Sequence, residues 1–466
     1  MDIKAGKKFL KENNYIGAEK IFLNLIKNNN DLLLSNFYLG GIYFELDNYD
    51  KSKLYYEKAL ELKKDSKEIL ISLAFLEQSY GELASAKKIY EKLIQLYPNY
   101  LESYYRLYLL NPKNLNLDHE NLFHKLLEDK NISLHDKSLA NFLISKINKQ
   151  KGNYDSELNY LKKSQNYIFQ SNREYNLQSN FYYEKIISKK FNKIKFENID
   201  KIKKDLKEYS PIFIIGLPRS GSTLVETLLS SNKSVIPIGE NSIINMAILN
   251  QISNIIFMKN FDLEKFNLSL DCEKLSDYVY KKIKQIEKLR TKNNLYFTDK
   301  TLVNFFNIEV ILSIFPSAKF VHCYRNYKDA VIAIYQSLLP TLSWTHNLDD
   351  IIGYVDNYIN TMNYFKSKYS DKIFDLKLEH MTESKKELNK VDLKGIILKP
   401  FVIGIGLDKS WQDNLDCVGT FFDAANERDF SNILNVVISH VVDNTTTQVN
   451  LLDSLGNPTE TDVPLT

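Results

Sequence analysis

The chain has 466 residues, enough for about two or three domains, and its 61 Lys and Arg nearly balance its 58 Asp and Glu, which excludes a nucleic-acid binder held by bulk charge. Cys272, Cys323 and Cys417 are widely separated and supply neither a disulfide framework nor metal-ligand spacing, so a reducing, cytoplasmic setting and no bound metal are expected. The first residues, M-D-I-K-A-G-K-K-F-L-K, hold no apolar signal core, and no apolar run is long enough to span a bilayer, so neither secretion nor a membrane span is predicted.

Taken in order, the chain opens on an internal repeat. Ala18, Ser52 and Ala86 recur at a period of 34 residues, as do Phe22, Tyr56 and Tyr90, and Leu25, Ala59 and Leu93. That period is the tetratricopeptide one, and each register fits the second helix of a helix pair with a small residue where two helices cross. Pro98 stands where such a repeat often terminates, and Gly152 to Leu161 resembles a further second helix. Residues 1–195 are therefore expected to form an α-solenoid of roughly four or five helix pairs, which serves either as a concave docking surface for a protein or peptide or as a packed accessory that shields or dimerises the following domain. The lysine-rich stretch from Lys185 to Lys207 reads as a solvated helical connector.

Ile212 to Ile215 is a short apolar, β-branched run, the mark of a buried parallel strand. Ser222 to Ser231 carries Leu224, Leu228 and Leu229 at helical spacing, and Gly216 and Gly221 bracket the loop between them. Glycines allow a sharp turn and close approach to a ligand, and the start of the following helix attracts an anion. Arg219 adds a permanently charged fork suited to phosphate or sulfate oxygens. The spacing matches a nucleotide triphosphatase loop, but Ser222 stands where that motif needs lysine. Further strands are predicted at Leu295 to Thr298, Lys319 to Tyr324 and Lys372 to Leu378, with a helix from Asp329 to Leu338. Strands alternating with helices imply a P-loop-like three-layer α/β domain with a parallel sheet over residues 196–390. Gly216, Lys300 and Arg325 then share one rim, at the carboxyl ends of the strands.

Four stretches in order, P-I-F-I-I-G-L-P-R-S-G-S-T-L-V-E-T-L-L-S, I-G-E, T-D-K and F-P-S-A-K-F-V-H-C-Y-R-N, resemble the sulfotransferases. Joined to tetratricopeptide repeats, they are similar to the bacterial tetratricopeptide-sulfotransferase group, relatives of the tyrosylprotein sulfotransferases. The resemblance implies a 3′-phosphoadenosine-5′-phosphosulfate co-substrate, with Pro218, Arg219, Ser220, Gly221, Ser222 and Thr223 at its 5′-phosphosulfate. It implies Arg325 at the 3′-phosphate, where Ala333 replaces the family's serine, Tyr327 its proline, and Ser337 lies one helical turn further on. Glu240 is implied as the base that takes the acceptor proton, and Lys300 and Arg219 as the charges on the developing oxygens. The acceptor is expected to be a hydroxyl on a protein, a peptide or a small molecule, including protein tyrosine. His322 reads as a core histidine, His346 as a loop residue that could face the acceptor, and Glu379 and His380 as structural.

The pattern ends near Glu387, before the basic segment that closes the family's adenosine site, so a C-terminally truncated domain with weakened donor binding is expected. Residues 391–466 resemble the closing strand and helix of a von Willebrand factor A-type domain followed by a loose tail, without that domain's D-x-S-x-S metal signature. Two other readings stay open at this point. One is a P-loop nucleotide kinase or hydrolase, the other an inactive protein-binding repeat protein with a relic sulfotransferase domain.

Overall fold

The computed structural model describes residues 2–379, apart from 12, 13, 47, 231, 233, 257–260 and 287–295, and beyond them the strand segments 402–405 and 421–424. The described residues divide into two compact units, one running to Arg173 and taking in Leu338–Thr341, the other beginning at Glu174. None of the described helices is long and apolar enough to cross a membrane.

The first unit is helical: α1 (Ile3–Lys11), α2 (Tyr15–Lys27), α3 (Leu32–Glu45), α4 (Tyr49–Leu62), α5 (Lys67–Ser79), α6 (Leu83–Leu96), α7 (Leu101–Leu110), α8 (Glu120–Leu127), α9 (Leu134–Gln150) and α10 (Tyr154–Ser171). All nine residues of the three repeat registers are buried, because α2, α4 and α6 turn the same face to their neighbours. Asn14 and Asn48 cap α2 and α4 by accepting the amides of Gly17 and Lys51 at 2.9 and 3.2 Å, and Asn153 caps α10 through Ser156 at 3.3 Å. Small residues let the pairs cross closely. Ser52 Oγ donates to the Gly40 carbonyl at 2.7 Å, and the hydroxyls of Ser138 and Ser164 each reach the other's carbonyl at 2.9 Å.

The second unit opens with α11 (Arg173–Phe181), a π-helical turn at Tyr182–Ile187, and α12 (Ser188–Lys190). Its strands are β1 (Lys195–Glu197), β2 (Ile212–Gly216), β3 (Val235–Pro237), β4 (Ser269–Asp271), β5 (Tyr296–Asp299), β6 (Lys319–Tyr324) and β7 (Ile373–Lys377). Its remaining helices are α13 (Ser222–Ser230), α14 (Ile243–Ile256), α15 (Cys272–Gln285), α16 (Ile308–Ile314), α17 (Tyr327–Tyr335) and α18 (Leu348–Lys368). The stretch from Lys185 to Lys207 is not the solvated helical connector its lysines suggested. Helix stops at Lys190, β1 pairs in parallel with β4, and Ile186, Ile187, Phe191, Ile202 and Leu206 are buried, so the lysines only decorate a packed segment. The unit also starts before residue 195, since Ser179 and Asn180 of α11 bond Ser343 and Asp350 within it at 2.8 and 3.1 Å.

One parallel sheet, in the order β3-β5-β2-β6-β7, organises this unit. β2 is central and buried along its whole length, as its Ile-rich sequence demands. From β2 the chain crosses to β3 and β5 on one side, then to β6 and β7 on the other, which makes the carboxyl end of β2 the switch point where such sheets bind ligands. The short β3, which ends in proline, escaped sequence prediction. Further on, β8 (Val402–Ile405) and β9 (Phe421–Ala424) pair in parallel, while the helix expected after them lies outside the described residues.

Candidate functional site

At the switch point the chain leaves β2 through Gly216, whose φ of 148° and position against β6 admit no side chain. A Cβ there would stand 2.1 Å from the Cys323 carbonyl oxygen. Gly221 closes the loop at φ 82°, and a Cβ on it would meet Leu378 at 2.6 Å. Between them Arg219 is exposed and held in the left-handed region at φ 66°, a conformation that costs a side-chain-bearing residue of order 1 kcal/mol. Pro218 is buried, and Ser220 turns its hydroxyl onto the Leu217 carbonyl, which tightens the loop. Ser222 and Thr223 open α13 and are buried, and the first-turn amides of a helix, which have no partner inside it, make this end suited to an anion.

Glu240 follows β3. The backbone here extends the sheet register, with the Ile238 amide on the Thr298 carbonyl at 3.1 Å and the Lys300 amide on the Gly239 carbonyl at 2.9 Å. Lys300, one residue beyond β5, is fully buried, and its Nζ donates to Thr223 Oγ1 and to Glu240 Oε1, each at 3.1 Å. Burial pushes the Glu240 carboxyl above its ordinary pKa; Lys300 pulls it back, and the charge of Glu226 pushes the same way as burial. Next to it Asp299 is pushed up to about 6, chiefly by burial, while it accepts the Thr301 amide at 2.8 Å.

Sequence reasoning missed Glu226. It is the one ionisable side chain of α13, buried at 6 % exposure, and it accepts the Gly239 amide at 3.1 Å and the Thr298 hydroxyl at 2.9 Å. Its other oxygen stands 4.0 Å from Lys300 Nζ. A lone carboxylate between Val225 and Leu229, on a helix that must pack on the sheet, was the available signal.

On the other side of β2, Arg325 follows β6. Its Nη1 donates to the Arg219 carbonyl at 3.2 Å, and its buried Nε has no protein acceptor among the described residues. An open recess of about 480 Å³ lies here, lined by Tyr324, Arg325, Asn326, Tyr327, Lys328 and Lys377. Ser337 is not brought to this recess. It lies past the far end of α17, a nine-residue helix roughly 13 Å long, and its hydroxyl donates to the Ala333 carbonyl at 2.8 Å.

The two candidate histidines, His322 and His346, are packed inside. His322 is held between Asp375, 2.6 Å from Nδ1, and the Tyr358 hydroxyl, and burial lowers its pKa. His346 is buried too, and burial takes it down to about 4. Glu379 accepts the Asn326 amide at 2.8 Å, a structural link between the ends of β6 and β7, and His380 lies outside the described residues.

Comparisons with known proteins meet this geometry. Residues 211–388 match the profile of the sulfotransferase family, and residues 34–66 match a tetratricopeptide repeat. A protein of Aquifex aeolicus (strain VF5), described only as uncharacterized, is 23 % identical over 360 residues, which cover 72 % of this chain and 46 % of that protein. The chain thus spans about half the length of that relative. Among solved structures, the crystal structure of MamA aligns at 21 % identity and a TM-score of 0.29, over 36 % of this chain and 95 % of MamA. Residues 211–388, the parallel-sheet α/β part of the chain, thus match the sulfotransferase family, and the helical unit carries a match to a tetratricopeptide repeat.

Proposed function

We propose that the chain transfers a sulfuryl group from 3′-phosphoadenosine-5′-phosphosulfate to an acceptor hydroxyl. The observation that carries this reading is the position of Lys300 Nζ, 3.1 Å from Thr223 Oγ1 at the anion loop and 3.1 Å from Glu240 Oε1. One ammonium thus touches both the group that would hold the donor and the group that would activate the acceptor. Pro218 to Thr223 would enclose the 5′-phosphosulfate, with Arg219 over its oxygens. Arg325 would take the 3′-phosphate, helped by Lys328 and Lys377 of the same recess, which offsets the alanine at 333.

In the reaction the acceptor oxygen attacks sulfur in line. The new S–O bond forms as the bond from sulfur to the bridging oxygen breaks, and that electron pair stays on the 5′-phosphate of 3′-phosphoadenosine-5′-phosphate. The acceptor proton passes to Glu240. Lys300 donates to the bridging oxygen as its charge grows, and Arg219 holds the equatorial oxygens. A raised carboxyl pKa suits this role, because it makes Glu240 a better proton acceptor for a hydroxyl whose own pKa is high, about 10 for tyrosine. Protein tyrosine is the acceptor class we put first, with the repeats presenting the protein that carries it; cysteines that are free and buried at Cys272 and Cys323 suit a cytoplasmic protein.

Calorimetric titration with 3′-phosphoadenosine-5′-phosphate tests the donor site, and binding in the micromolar range is expected. Absence of heat at high micromolar ligand overturns the reading. Transfer of labelled sulfate to tyrosine peptides and to 4-nitrophenol, lost in Glu240→Gln by about 10²-fold or more, tests the base.

A further inference from the structure

We infer that Glu226 is a positioning residue of this site: it is the standing counter-ion of Lys300 and the latch of the Glu240 loop, which frees Glu240 to exchange its proton. The inference rests on the sulfuryl-transfer reading and assigns separate duties to two carboxylates that share one lysine.

The two carboxylates are not equivalent. Glu226 is 8 % exposed at its side chain and is fixed from two directions, since one oxygen accepts both the Gly239 amide and the Thr298 hydroxyl. Those partners belong to the β3 exit loop and to β5, so one side chain of the anion-loop helix ties together the three chain segments that carry Thr223, Glu240 and Lys300. Glu240 is 23 % exposed at its side chain and bonds Lys300 at 3.1 Å. The first is built to stay and the second to face a substrate.

A division of this kind answers a physical problem. A fully buried ammonium needs a compensating anion at every stage, because stranding it costs several kcal/mol. When Glu240 takes the acceptor proton it becomes neutral and can no longer compensate Lys300. At that moment Lys300 must stay charged, to donate to the bridging oxygen. Glu226, 4.0 Å away, keeps the lysine compensated through the transfer without competing for the 3.1 Å bonding position. The other ionisable groups around the lysine do not fill this role. Asp299 on β5 accepts the Thr301 amide, and burial pushes the Cys323 thiol on β6 up to about 12, where it stays neutral.

The test uses the full chain and the variants Glu226→Gln, Glu226→Asp, Glu240→Gln and Lys300→Met, with Lys300→Met also combined with each glutamine. Urea unfolding gives the coupling of each carboxylate to Lys300. The expected result is a coupling for Glu226 that exceeds that for Glu240 by about ten-fold in the unfolding equilibrium constant. Equal couplings, or a larger one for Glu240, overturn the assignment. Labelled sulfate transfer to 4-nitrophenol and to a tyrosine peptide gives the pH profile. In Glu226→Gln, kcat is expected to fall by up to about 100-fold, and the acid limb to move to lower pH, because Lys300 then binds Glu240 alone. Glu226→Asp is expected to restore the acid limb with only part of kcat. A Glu226→Gln variant that is less stable but keeps the wild-type acid limb reduces Glu226 to a structural residue and overturns the inference. If the wild-type chain binds no 3′-phosphoadenosine-5′-phosphate, the transfer reading falls, while the couplings still decide which carboxylate holds Lys300.

Discussion

Arg325 Nη1 donates to the carbonyl of Arg219 at 3.2 Å, so the arginine after β6 braces the turn that displays the arginine of the anion loop. Because Arg219 sits at φ 66°, glycine fits its backbone without strain. Arg219→Gly is therefore expected to stay within about 1 kcal/mol of wild-type stability while it weakens binding of 3′-phosphoadenosine-5′-phosphate by about ten-fold, the loss of one charge-assisted contact. Arg325→Ala removes a charge and the brace together, and is expected to weaken binding further than Arg219→Gly. Calorimetry on both variants checks the order, and a stronger effect from Arg219→Gly refutes the bracing role.

Lys300 supplies a prediction about stability. It is fully buried beside Glu240 and Glu226, and removing its charge leaves two carboxylates facing each other without compensation. Lys300→Met is expected to lose about 3 kcal/mol or more of unfolding free energy, measured in urea. Adding Glu240→Gln should return part of that loss, because one of the stranded charges is gone. A Lys300→Met protein as stable as wild type would mean that water already reaches the lysine.

Much of this was legible in the residues. The 34-residue registers marked buried positions, and Ile212 to Gly216 announced the central strand, since both signals are carried by apolar side chains that must leave water. The anion loop was legible too, because its glycines are required by φ values and by the carbonyl of β6. What escaped was set by long-range contact. β3 and the β1–β4 pair are three residues each, too short for an alternating or apolar pattern to register. Glu226 is one acidic residue on an otherwise unremarkable helix, and its meaning exists only once β3 and β5 bring Gly239 and Thr298 to it. Ser337 failed to join Arg325 for a geometric reason, since the two bracket opposite ends of α17.

Two buried groups make stability depend on pH in opposite senses. Burial lowers His346 from an ordinary 6.5 to about 4, so the unfolded chain binds its proton more readily; this group's contribution is complete above pH 6.5 and is lost as pH falls toward 4. Burial raises Asp299 from 3.8 to about 6, so its contribution is complete below pH 3.8 and is lost as pH rises toward 6. Between pH 4 and 6.5, His346→Gln should therefore flatten the fall of stability with acid, and Asp299→Asn should steepen it. Urea midpoints at a series of pH values measure both slopes. Parallel curves for wild type and Asp299→Asn would show that Asp299 titrates normally.

Gly40 tests the repeat packing. A glycine inside α3 ordinarily costs about 1 kcal/mol against alanine, so Gly→Ala should stabilise a solvent-facing site. Here a Cβ would stand 2.5 Å from Tyr56 Cδ1, on a ring that is buried to 1 % exposure and therefore has nowhere to move. The carbonyl of the same residue also accepts the Ser52 hydroxyl at 2.7 Å, which holds α3 and α4 at this separation. Overpacking at such a crossing typically costs about 1–3 kcal/mol, which outweighs the propensity gain. Gly40→Ala should lower stability by roughly that amount, and Gly40→Ala with Tyr56→Leu should recover part of it by giving the new methyl room. Urea unfolding of the three proteins decides the matter, and a Gly40→Ala chain more stable than wild type would mean that α3 and α4 are free to move apart.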